Sequence, residues 1–504
     1  MHGQGIKLEG ALIAPPEVSG RGSIKFIMHL SILSTAVTLA SIPAALADIS
    51  TTIDPSSRWG TWEGWGTSLA WWAKAFGDRD DLATAFFGTQ WQMYRGADLP
   101  GLGFNIARYN AGATSHKRYE GISMAVSPNI KSSRQMEGFW HDWASSDPSS
   151  SSWDWSVDAK QRMMLHKAKS RGADIFELFS NSPMWWMCGN RDPSGNGLRD
   201  NLPSTNYKRH AIYMATVEQH ARQNWDIHFQ SVEPFNEPSS SWGPHGKQEG
   251  CHFDVSTMDR VTAMLKAELS ERGSRSFIAA SDETSYDAAI STWEKMHSAT
   301  KAAIERINVH GYQGGGGRRD TLYSLAKQYN KALWNSEYGD HDDTGKTMAT
   351  NLLLDFHWLH PTAWVYWQAV DGNGWGLIEG DNDAKSLTGV NTKYHVLAQF
   401  SRHIRPGMTV LGGGNANTVA AWDPKNRVLV IVAANWGPAQ LFDFDLGRFR
   451  KTWKDGDLVR QWTTFVNGSR KYQREHNIPL QGTRLWSWFE KDSVQTFEIP
   501  GVRL

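Results

Sequence analysis

The sequence predicts an α/β fold, a (β/α)8 TIM barrel with a C-terminal β-sandwich side domain, from three observations. The chain has 504 residues, enough for a barrel of roughly 250–350 residues and an accessory domain. Short apolar or β-branched segments alternate with helical segments up to about residue 370, which favours a parallel sheet. After Tyr394 the pattern changes to short alternating segments separated by Gly, Asn and Asp turns, which is typical of an antiparallel sandwich.

The barrel prediction depends on eight segments that each end in polar or small residues. The predicted strands are Trp62–Trp72, Gly103–Asn110, Asp174–Pro183, Phe229–Pro238, Ser276–Ser285, Arg306–Gln313, Lys331–Asp340 and Thr362–Val370. The predicted helices between them are Val157–Arg171, Tyr207–Asn224, Thr257–Arg272, Ala288–Arg306, Thr321–Tyr329 and Thr344–Leu359. Eight parallel strands with intervening helices indicate a closed barrel rather than an open sheet.

The domain organisation follows from these segments. Residues 48–395 are predicted to form the barrel, and residues 48–60 are predicted to pair with the sandwich, which occupies residues 396–504. The predicted sandwich strands are Thr409–Leu411, Thr418–Trp422, Val428–Asn435, Phe442–Leu446, Leu458–Phe465 and Thr496–Val502.

Residues 1–47 are predicted to be an N-terminal extension and a signal peptide. Lys25 precedes an apolar stretch that ends in Ala-Leu-Ala at Ala47, the pattern of a secretory signal with its cleavage site. A membrane anchor is the alternative for a stretch of this length, but Ser, Thr and Pro43 interrupt it. We therefore expect a secreted, extracellular protein that is not held in a membrane.

The composition argues against several functional classes. Lys+Arg and Asp+Glu are equal at 52 each, and no basic run is present, which argues against a nucleic-acid partner. Neither an H-E-x-x-H motif nor tight Cys/His spacing occurs, so we expect no catalytic metal and no cofactor. Gly314–Gly317 lacks the Lys-Ser/Thr ending of a phosphate loop and is interpreted as a flexible loop beside the substrate.

The two cysteines and one asparagine bear on two covalent modifications, a disulfide and an N-glycan. Cys188 and Cys251 are the only cysteines, and in a secreted chain such a pair is either a disulfide between two barrel loops or two buried or free thiols. Both alternatives stay open. The sequon Asn467-Gly468-Ser469 is the single N-glycosylation signal and fits an exposed turn.

Two glutamates carry the predicted chemistry. Glu237 lies at the end of the fourth predicted strand in Phe-Asn-Glu-Pro, and Glu337 lies at the end of the seventh in Asn-Ser-Glu-Tyr-Gly. Both would project from the carboxyl end of the barrel, where active sites form. Glycosidic cleavage needs such a pair: one carboxylic acid protonates the leaving oxygen, and a carboxylate about 5–5.5 Å away attacks the anomeric carbon with net retention. The amide of Asn236 is suited to hold a sugar 2-hydroxyl.

These motifs resemble those of clan A glycoside hydrolases, and within the clan those of glycoside hydrolase family 30, whose barrel carries a side β-sandwich. The segment Trp62–Trp72, WEGWGTSLAWW, resembles the fungal endo-β-1,6-galactanase branch of that family. The resemblance covers about residues 48–504. It implies that Glu237 is the acid/base and Glu337 the nucleophile of a retaining enzyme.

The resemblance also suggests roles for further residues. Arg108 would orient the nucleophile, although an ordinary buried ion pair is the alternative. His310 and Tyr312 match the pair at strand six, and Tyr312 would donate a hydrogen bond to Glu337. Trp185 and Trp367 match sugar-stacking positions at strands three and eight, with burial in the core as the alternative for each.

One departure bears on the substrate. Many family members place an acidic residue after the first-strand glycines, where this chain has Leu69-Ala70-Trp71-Trp72. The departure argues against glucosylceramide, β-1,6-glucan and xylan, which stay as alternative substrates. An aromatic wall suits galactose, whose axial 4-hydroxyl exposes a continuous C–H face to an indole, and the 26 Trp of the chain supply such faces or fill the core.

We therefore expect a monomeric, secreted enzyme, and the resemblance implies that it cleaves β-1,6-linked galactan, such as arabinogalactan side chains, at internal bonds. Its partner would be the polysaccharide substrate. A protein that binds carbohydrate without cleaving it is the alternative from a different class.

Overall fold

The structure is a computed structural model that describes residues 49–450 and 452–504. The predicted extension and signal peptide, residues 1–47, lie outside the described residues. Within the described ranges, no helix is both long enough and apolar enough to cross a membrane.

The strands and helices are numbered in chain order. The strands are β1 (Ile49–Thr52), β2 (Arg58–Thr61), β3 (Gly64–Ser68), β4 (Trp91–Tyr94), β5 (Ala97–Pro100), β6 (Ile106–Asn110), β7 (Ile175–Phe179), β8 (Ser231–Glu233), β9 (Phe277–Glu283), β10 (Ile304–His310), β11 (Ala332–Tyr338), β12 (Ala363–Gln368), β13 (Val370–Asp371), β14 (Ile378–Asp381), β15 (Ser386–Val390), β16 (Thr409–Gly412), β17 (Thr418–Asp423), β18 (Val428–Asn435), β19 (Gln440–Asp445), β20 (Leu458–Phe465), β21 (Gln473–Arg474), β22 (Ile478–Pro479), β23 (Arg484–Phe489) and β24 (Ser493–Pro500). The α-helices are α1 (Trp72–Phe76), α2 (Asp80–Phe87), α3 (Ala159–Ser170), α4 (Tyr207–Asn224), α5 (Val255–Glu271), α6 (Tyr286–Lys295), α7 (Ser298–Ala303), α8 (Arg319–Gln328), α9 (Lys346–Leu354) and α10 (Thr392–Ser401).

Eight parallel strands close into a barrel, in the order β3, β6, β7, β8, β9, β10, β11 and β12, with β12 returning to β3. The predicted fold is therefore confirmed, and each of the eight predicted segments overlaps one barrel strand. All residues of β3, β6 and β12 are buried, because helices cover the outside of the barrel and side chains fill its interior.

One predicted helix is wrong in its extent. The segment Ala288–Arg306 is not continuous: α6 ends at Lys295, α7 begins at Ser298, and β10 already starts at Ile304. The backbone of Met296 and His297 is extended, and this interrupts the helix. The helical period of the side chains runs through both helices, so the sequence alone gave no sign of the break.

The side domain is a sandwich of two sheets. The larger follows the order β2-β16-β17-β18-β24-β20-β21, and the smaller the order β1-β19-β23. Side chains of β18 alternate: Leu429 and Ile431 join the apolar cluster between the two sheets, whereas Val430 and Val432 join the core of the barrel. The larger sheet is therefore buried on both faces, since successive side chains of a strand point to opposite faces.

Two features link the barrel to the sandwich. β1 lies parallel to β19 and β2 lies antiparallel to β16, so the segment before the first barrel strand adds one strand to each sheet. Helix α10 follows the barrel and is bonded to the larger sheet: Gln399 Nε2 donates to Thr464 Oγ1 (2.8 Å), and Thr496 Oγ1 donates to Gln399 Oε1 (2.6 Å). These bonds fix the two layers against each other.

Two small sheets were not predicted from the sequence. β4 and β5 form a hairpin before the second barrel strand, and β13, β14 and β15 form a sheet directly after the eighth. The second of these contributes residues to the cleft at the mouth of the barrel, as described below.

Candidate active site

The two predicted glutamates meet in a cleft at the carboxyl end of the barrel. The cleft has a volume of about 400 Å³, and Glu237 and Glu337 both line it. One oxygen of each carboxylate and one ring nitrogen of His310 lie within 4.8 Å of one another. Glu337 is buried and Glu237 is half-buried, so the first is shielded from water more than the second.

Hydrogen bonds on both sides hold Glu237 in an unusual backbone conformation. Its φ of 43° lies in the left-handed region, which is uncommon for residues other than glycine and is found often at functional sites. The amide of Glu237 donates to the carbonyl of Asp282 (2.8 Å), and Trp242 Nε1 donates to the carbonyl of Glu237 (3.1 Å). This conformation directs the carboxylate into the cleft.

Three donors surround the carboxylate of Glu337. Tyr312 donates its hydroxyl to Oε1 (2.8 Å), His310 Nδ1 lies 3.4 Å from the same oxygen, and Arg108 Nη1 lies 3.4 Å from Oε2. Burial raises the pKa of Glu337, and the cations of His310 and Arg108 act in the opposite direction. The two cations therefore favour the ionised form that a nucleophile needs.

His310 lies between the two glutamates. Its Nδ1 is 3.2 Å from Glu237 Oε1, and its Nε2 is 3.5 Å from Asp282 Oδ1. The ring is fully buried, and burial alone would lower its pKa. The anions of Glu337 and Asp282 outweigh that effect and raise the pKa of His310 to about 10. His310 is therefore a cation at neutral pH, with one N–H group that faces both glutamates.

Arg108 forms a buried ionic network below the cleft. Its Nε donates to Glu177 Oε1 (2.7 Å), its Nη1 to the carbonyl of Ser336 (3.0 Å), and its Nη2 to Asp282. These anions raise the pKa of Arg108 although burial opposes them, and the Arg108 cation holds the pKa of buried Asp282 well below its usual value. Arg108 is thus a buried ion-pair partner that also contacts Glu337, and its role in orienting the nucleophile stays a prediction.

A second layer of charge lies deeper in the barrel and was missed by the sequence prediction. Arg306 ion-pairs with Glu177 and also donates to Ser231 Oγ (2.7 Å) and Asn308 Oδ1 (2.9 Å). Both charged side chains are almost fully buried. The available signal was a charged residue at an interior position of an apolar strand, Glu177 in β7 and Arg306 in β10.

Aromatic side chains form the walls of the cleft. Trp71, Trp367, Trp375 and Trp242 line it, and the rings of Trp71 and Trp367 meet edge to face with centroids 5.0 Å apart. The predicted position of Trp367 at the substrate is therefore compatible with the structure. Trp242 and Trp375 were not predicted.

The prediction that Trp185 is a sugar platform is wrong. Its side chain is fully buried in the apolar core and does not reach the cleft. The backbone explains the difference: the amide of Trp185 donates to the carbonyl of Ala113 (2.9 Å), and a short 3-10 turn follows at Trp185–Met187. The ring is therefore part of the apolar core.

Asn236 has an unused acceptor beside the acid. The side chain is buried, and its Oδ1 has no hydrogen-bond partner within the structure. A buried amide oxygen without a partner is costly unless a ligand supplies a donor. A sugar hydroxyl would satisfy it, and the predicted contact with a 2-hydroxyl stays a prediction.

Three side chains at the cleft carry atoms of the kind that bind metal ions. Glu237, His310 and Glu337 offer three ligand atoms in close proximity, but the Arg108 cation and the protonated His310 already supply positive charge there. The glycine loop predicted to lie beside the substrate precedes Arg319, whose buried guanidinium pairs with Asp355 (2.7 Å) and is not available for a phosphate.

The chain is similar to known glycosyl hydrolases. The model of O-glycosyl hydrolase family 30 matches residues 48–302. An endo-β-1,6-galactanase of Hypocrea rufa is 62% identical over 461 residues, which cover 91% of this chain and 96% of that protein. The chain belongs to O-glycosyl hydrolase family 30. It is therefore a glycosidase, as the sequence predicted.

More distant similarities are to one further enzyme and to solved structures that share the fold. An exo-β-1,6-galactobiohydrolase of Bifidobacterium longum subsp. longum is 23% identical over 529 residues, or 77% of this chain and 34% of that protein. A conserved exported protein from Bacteroides fragilis has a TM-score of 0.74 at 18% identity and covers 89% of this chain and 100% of that one. The catalytic domain of the GH30 xylanase C from Talaromyces cellulolyticus has a TM-score of 0.64 at 16% identity, covering 90% and 100%. These two structures share the fold.

Two remaining predictions for this family 30 enzyme concern residues outside the cleft, the two cysteines and Asn467. Cys188 and Cys251 are both buried and free, so the structure follows the thiol alternative and not the disulfide. Burial raises the pKa of the Cys188 thiol to about 12, which makes it a poor nucleophile. Asn467 is exposed in the turn after β20, with its Nδ2 3.4 Å from Asp492 Oδ2.

Proposed function

We propose that this family 30 glycosidase hydrolyses β-1,6-linked galactan at internal bonds with retention of configuration. The observation that carries the proposal is the glutamate pair in an aromatic cleft, in a chain that is 62% identical to an endo-β-1,6-galactanase. Oxygens of Glu237 and Glu337 within 4.8 Å suit direct attack on the sugar, since inverting enzymes separate the two groups by about 6.5–9.5 Å to admit a water.

In the first step Glu337 attacks the anomeric carbon while Glu237 donates its proton to the glycosidic oxygen. The carbon–oxygen bond to the leaving sugar breaks as the bond to Glu337 forms. In the second step Glu237, now a carboxylate, removes a proton from water, and the water oxygen displaces Glu337. The half-buried position of Glu237 gives the incoming water access to it.

The surrounding residues support the two charge states. The hydroxyl of Tyr312 and the cations of Arg108 and His310 favour the ionised form of Glu337 before attack, against the burial that raises its pKa to about 7. When Glu337 becomes an ester, the shared N–H of His310 can turn to the Glu237 carboxylate 3.2 Å away. One cation thereby serves whichever glutamate is charged at each stage.

The shape of the cleft supports cleavage at internal bonds. A second cleft of about 340 Å³ adjoins the first, and the two share Arg134, His341, Asp371 and Trp375. Residues of β14 and β15 line this extension. A continuous groove admits further sugar units beyond the reacting one, whereas an enzyme restricted to chain ends requires a closed pocket.

We also propose that the enzyme is secreted as a monomer after removal of residues 1–47, and that Asn467 carries an N-glycan. The apolar stretch with its Ala-Leu-Ala site supports secretion, and the exposed sequon supports glycosylation. The monomeric state stays a prediction. Amino-terminal sequencing of protein from culture medium should begin near Asp48. Retention of the full chain inside cells would contradict secretion.

The test of function is the product profile after incubation with debranched β-1,6-galactan, β-1,6-glucan and xylan. Short galacto-oligosaccharides from galactan alone are expected, with a rapid early fall in polymer size that indicates internal cleavage. Activity only on another polymer would keep the mechanism and reject the substrate. Release of a single small product without an early fall in polymer size would reject internal cleavage.

A further inference from the structure

We infer that Trp242 is the stacking platform for the sugar that leaves, on the acid side of the scissile bond. This inference rests on the proposed function. Trp242 lies five residues after Glu237 in the loop between β8 and α5, and it lines the cleft together with Glu237. The ring is half-buried, so part of its surface faces the cleft.

The loop fixes Trp242 from three directions. The indole Nε1 donates to the carbonyl of Glu237 (3.1 Å), which ties the ring to the acid itself. The backbone of Trp242 forms a two-way antiparallel bridge with Gly197, in which the Trp242 amide donates to the Gly197 carbonyl (3.2 Å). The ring packs so closely on Gly250 that any side chain at that position would overlap it. A ring held in this way loses little conformational entropy when a sugar stacks on it.

The position relative to the two glutamates assigns the side of the bond. The ring of Trp375 and the Cβ of Trp367 lie close to Gly339, two residues after Glu337, and both side chains line the cleft together with Glu337. Trp242 is instead bonded to Glu237. Because the acid must reach the glycosidic oxygen, the sugar beyond that oxygen lies on the acid side of the cleft, over the loop that carries Trp242.

Neighbouring polar groups complete the site. Lys247 and Gln248 line the same part of the loop and offer side-chain donors for hydroxyl groups. An indole face for the C–H surface of a sugar, with donors at its edge, is the usual composition of a carbohydrate subsite. The ligand expected here is therefore one galactose unit, the first of the leaving chain.

The test compares two substrates that share the glycosyl part and differ in the leaving group. β-1,6-Galactotetraose places galactose on Trp242, whereas the β-fluoride of β-1,6-galactobiose releases only fluoride. Trp242→Ala should lower kcat/KM on the tetraose by about tenfold and change it little on the fluoride. An equal loss on both substrates, or no loss on the tetraose, would overturn the assignment.

A second readout does not depend on how much of the variant folds. Galactose added as an acceptor should capture part of the glycosyl-enzyme, and Trp242→Ala should lower the ratio of transfer to hydrolysis. Trp242→Phe keeps a stacking face but loses the Nε1 bond to Glu237, so it should restore most of that ratio. A ratio unchanged in Trp242→Ala would also overturn the assignment.

Trp488→Ala is the matched control, because Trp488 is exposed on the side domain. It should behave as wild type in both assays. Wild-type activity on the polymer panel is measured first, so a wrong substrate is detected there. The platform is then tested with the oligosaccharide and glycosyl fluoride of whichever sugar the enzyme cleaves.

Discussion

Nδ1 of His310 lies 3.2 Å from Oε1 of Glu237, and the same nitrogen lies 3.4 Å from Oε1 of Glu337. A single buried cation therefore contacts both carboxylates of the reaction. His310→Gln keeps polarity and removes the positive charge, so the pKa of Glu337 should rise further, because the imidazolium now lowers it.

Ionised Glu337 then forms only at higher pH. The acidic limb of the kcat/KM–pH profile should move upward by about one unit or more. The exposed His297 supplies a control, since His297→Gln leaves the cleft unchanged. An acidic limb that stays in place in His310→Gln would contradict the role given to the cation.

Tyr312→Phe tests the hydrogen bond to the nucleophile. The variant removes the 2.8 Å bond to Glu337 Oε1 and leaves the ring in place. A hydrogen bond to a charged group contributes about 1.5–3 kcal/mol, so kcat/KM should fall by about 10- to 150-fold while the melting temperature changes little. Tyr329→Phe, at a partly exposed tyrosine, is the matched control. Unchanged turnover in Tyr312→Phe would show that the bond is dispensable.

Glu249 gives the protein a predictable dependence of stability on pH. Burial raises its pKa to about 8, although Thr114 and Met136 donate hydrogen bonds to one oxygen. The folded pKa is above the unfolded value of about 4.3. Its contribution to stability is therefore complete below about pH 4.3 and is lost as the pH rises through about 8.

Glu249→Gln removes this proton uptake. Between pH 5 and pH 8, wild type should lose stability relative to the variant. The free energy of unfolding of the variant minus that of wild type should therefore increase by an amount on the order of a few kcal/mol. Chemical denaturation at both values measures it, with Glu271→Gln at an exposed position as control. Parallel pH curves for wild type and Glu249→Gln would refute the prediction.

Arg306→Met tests the buried charge beneath the cleft. The variant leaves Glu177 with only one of its two arginine partners, and breaking a buried pair costs about 3–5 kcal/mol. The control Arg448→Met removes an exposed ion pair with Asp54, which should cost no more than about 1 kcal/mol. Thermal unfolding compares the two. An equal loss of stability in the two variants would contradict a stabilising role for the ion pair between Arg306 and Glu177.

The sequence predicted the barrel because its strands carry strong local signals. All residues of β6 and β12 are buried, and helices of regular period separate most strands, so apolar runs and periodicity locate them. The sheet β13–β15 was missed because its strands are short, with few buried residues. Such strands depend on contacts with the rest of the fold rather than on local pattern.

Some residues of the candidate site were predictable from the sequence, and others were not. Glu237 and Glu337 were found because each lies in a distinctive motif at the end of a predicted strand. Asp282 and Glu177 were not, because a carboxylate inside a strand is informative only once its partner is known, and that partner, Arg108, is distant in sequence. Trp185 was misplaced for a related reason: a tryptophan after a strand is equally compatible with core and cleft until the backbone is traced.

The central claim, that Glu337 is the nucleophile and Glu237 the acid/base, is tested most directly by azide rescue of two variants. With an activated aryl β-galactobioside and sodium azide, Glu337→Gly should form the α-glycosyl azide, because azide replaces the nucleophile in a single displacement. Glu237→Ala should form the β-glycosyl azide, because azide replaces water in the second of two displacements. NMR of the products distinguishes the two anomers. The reverse pattern, or one anomer from both variants, would contradict the assignment.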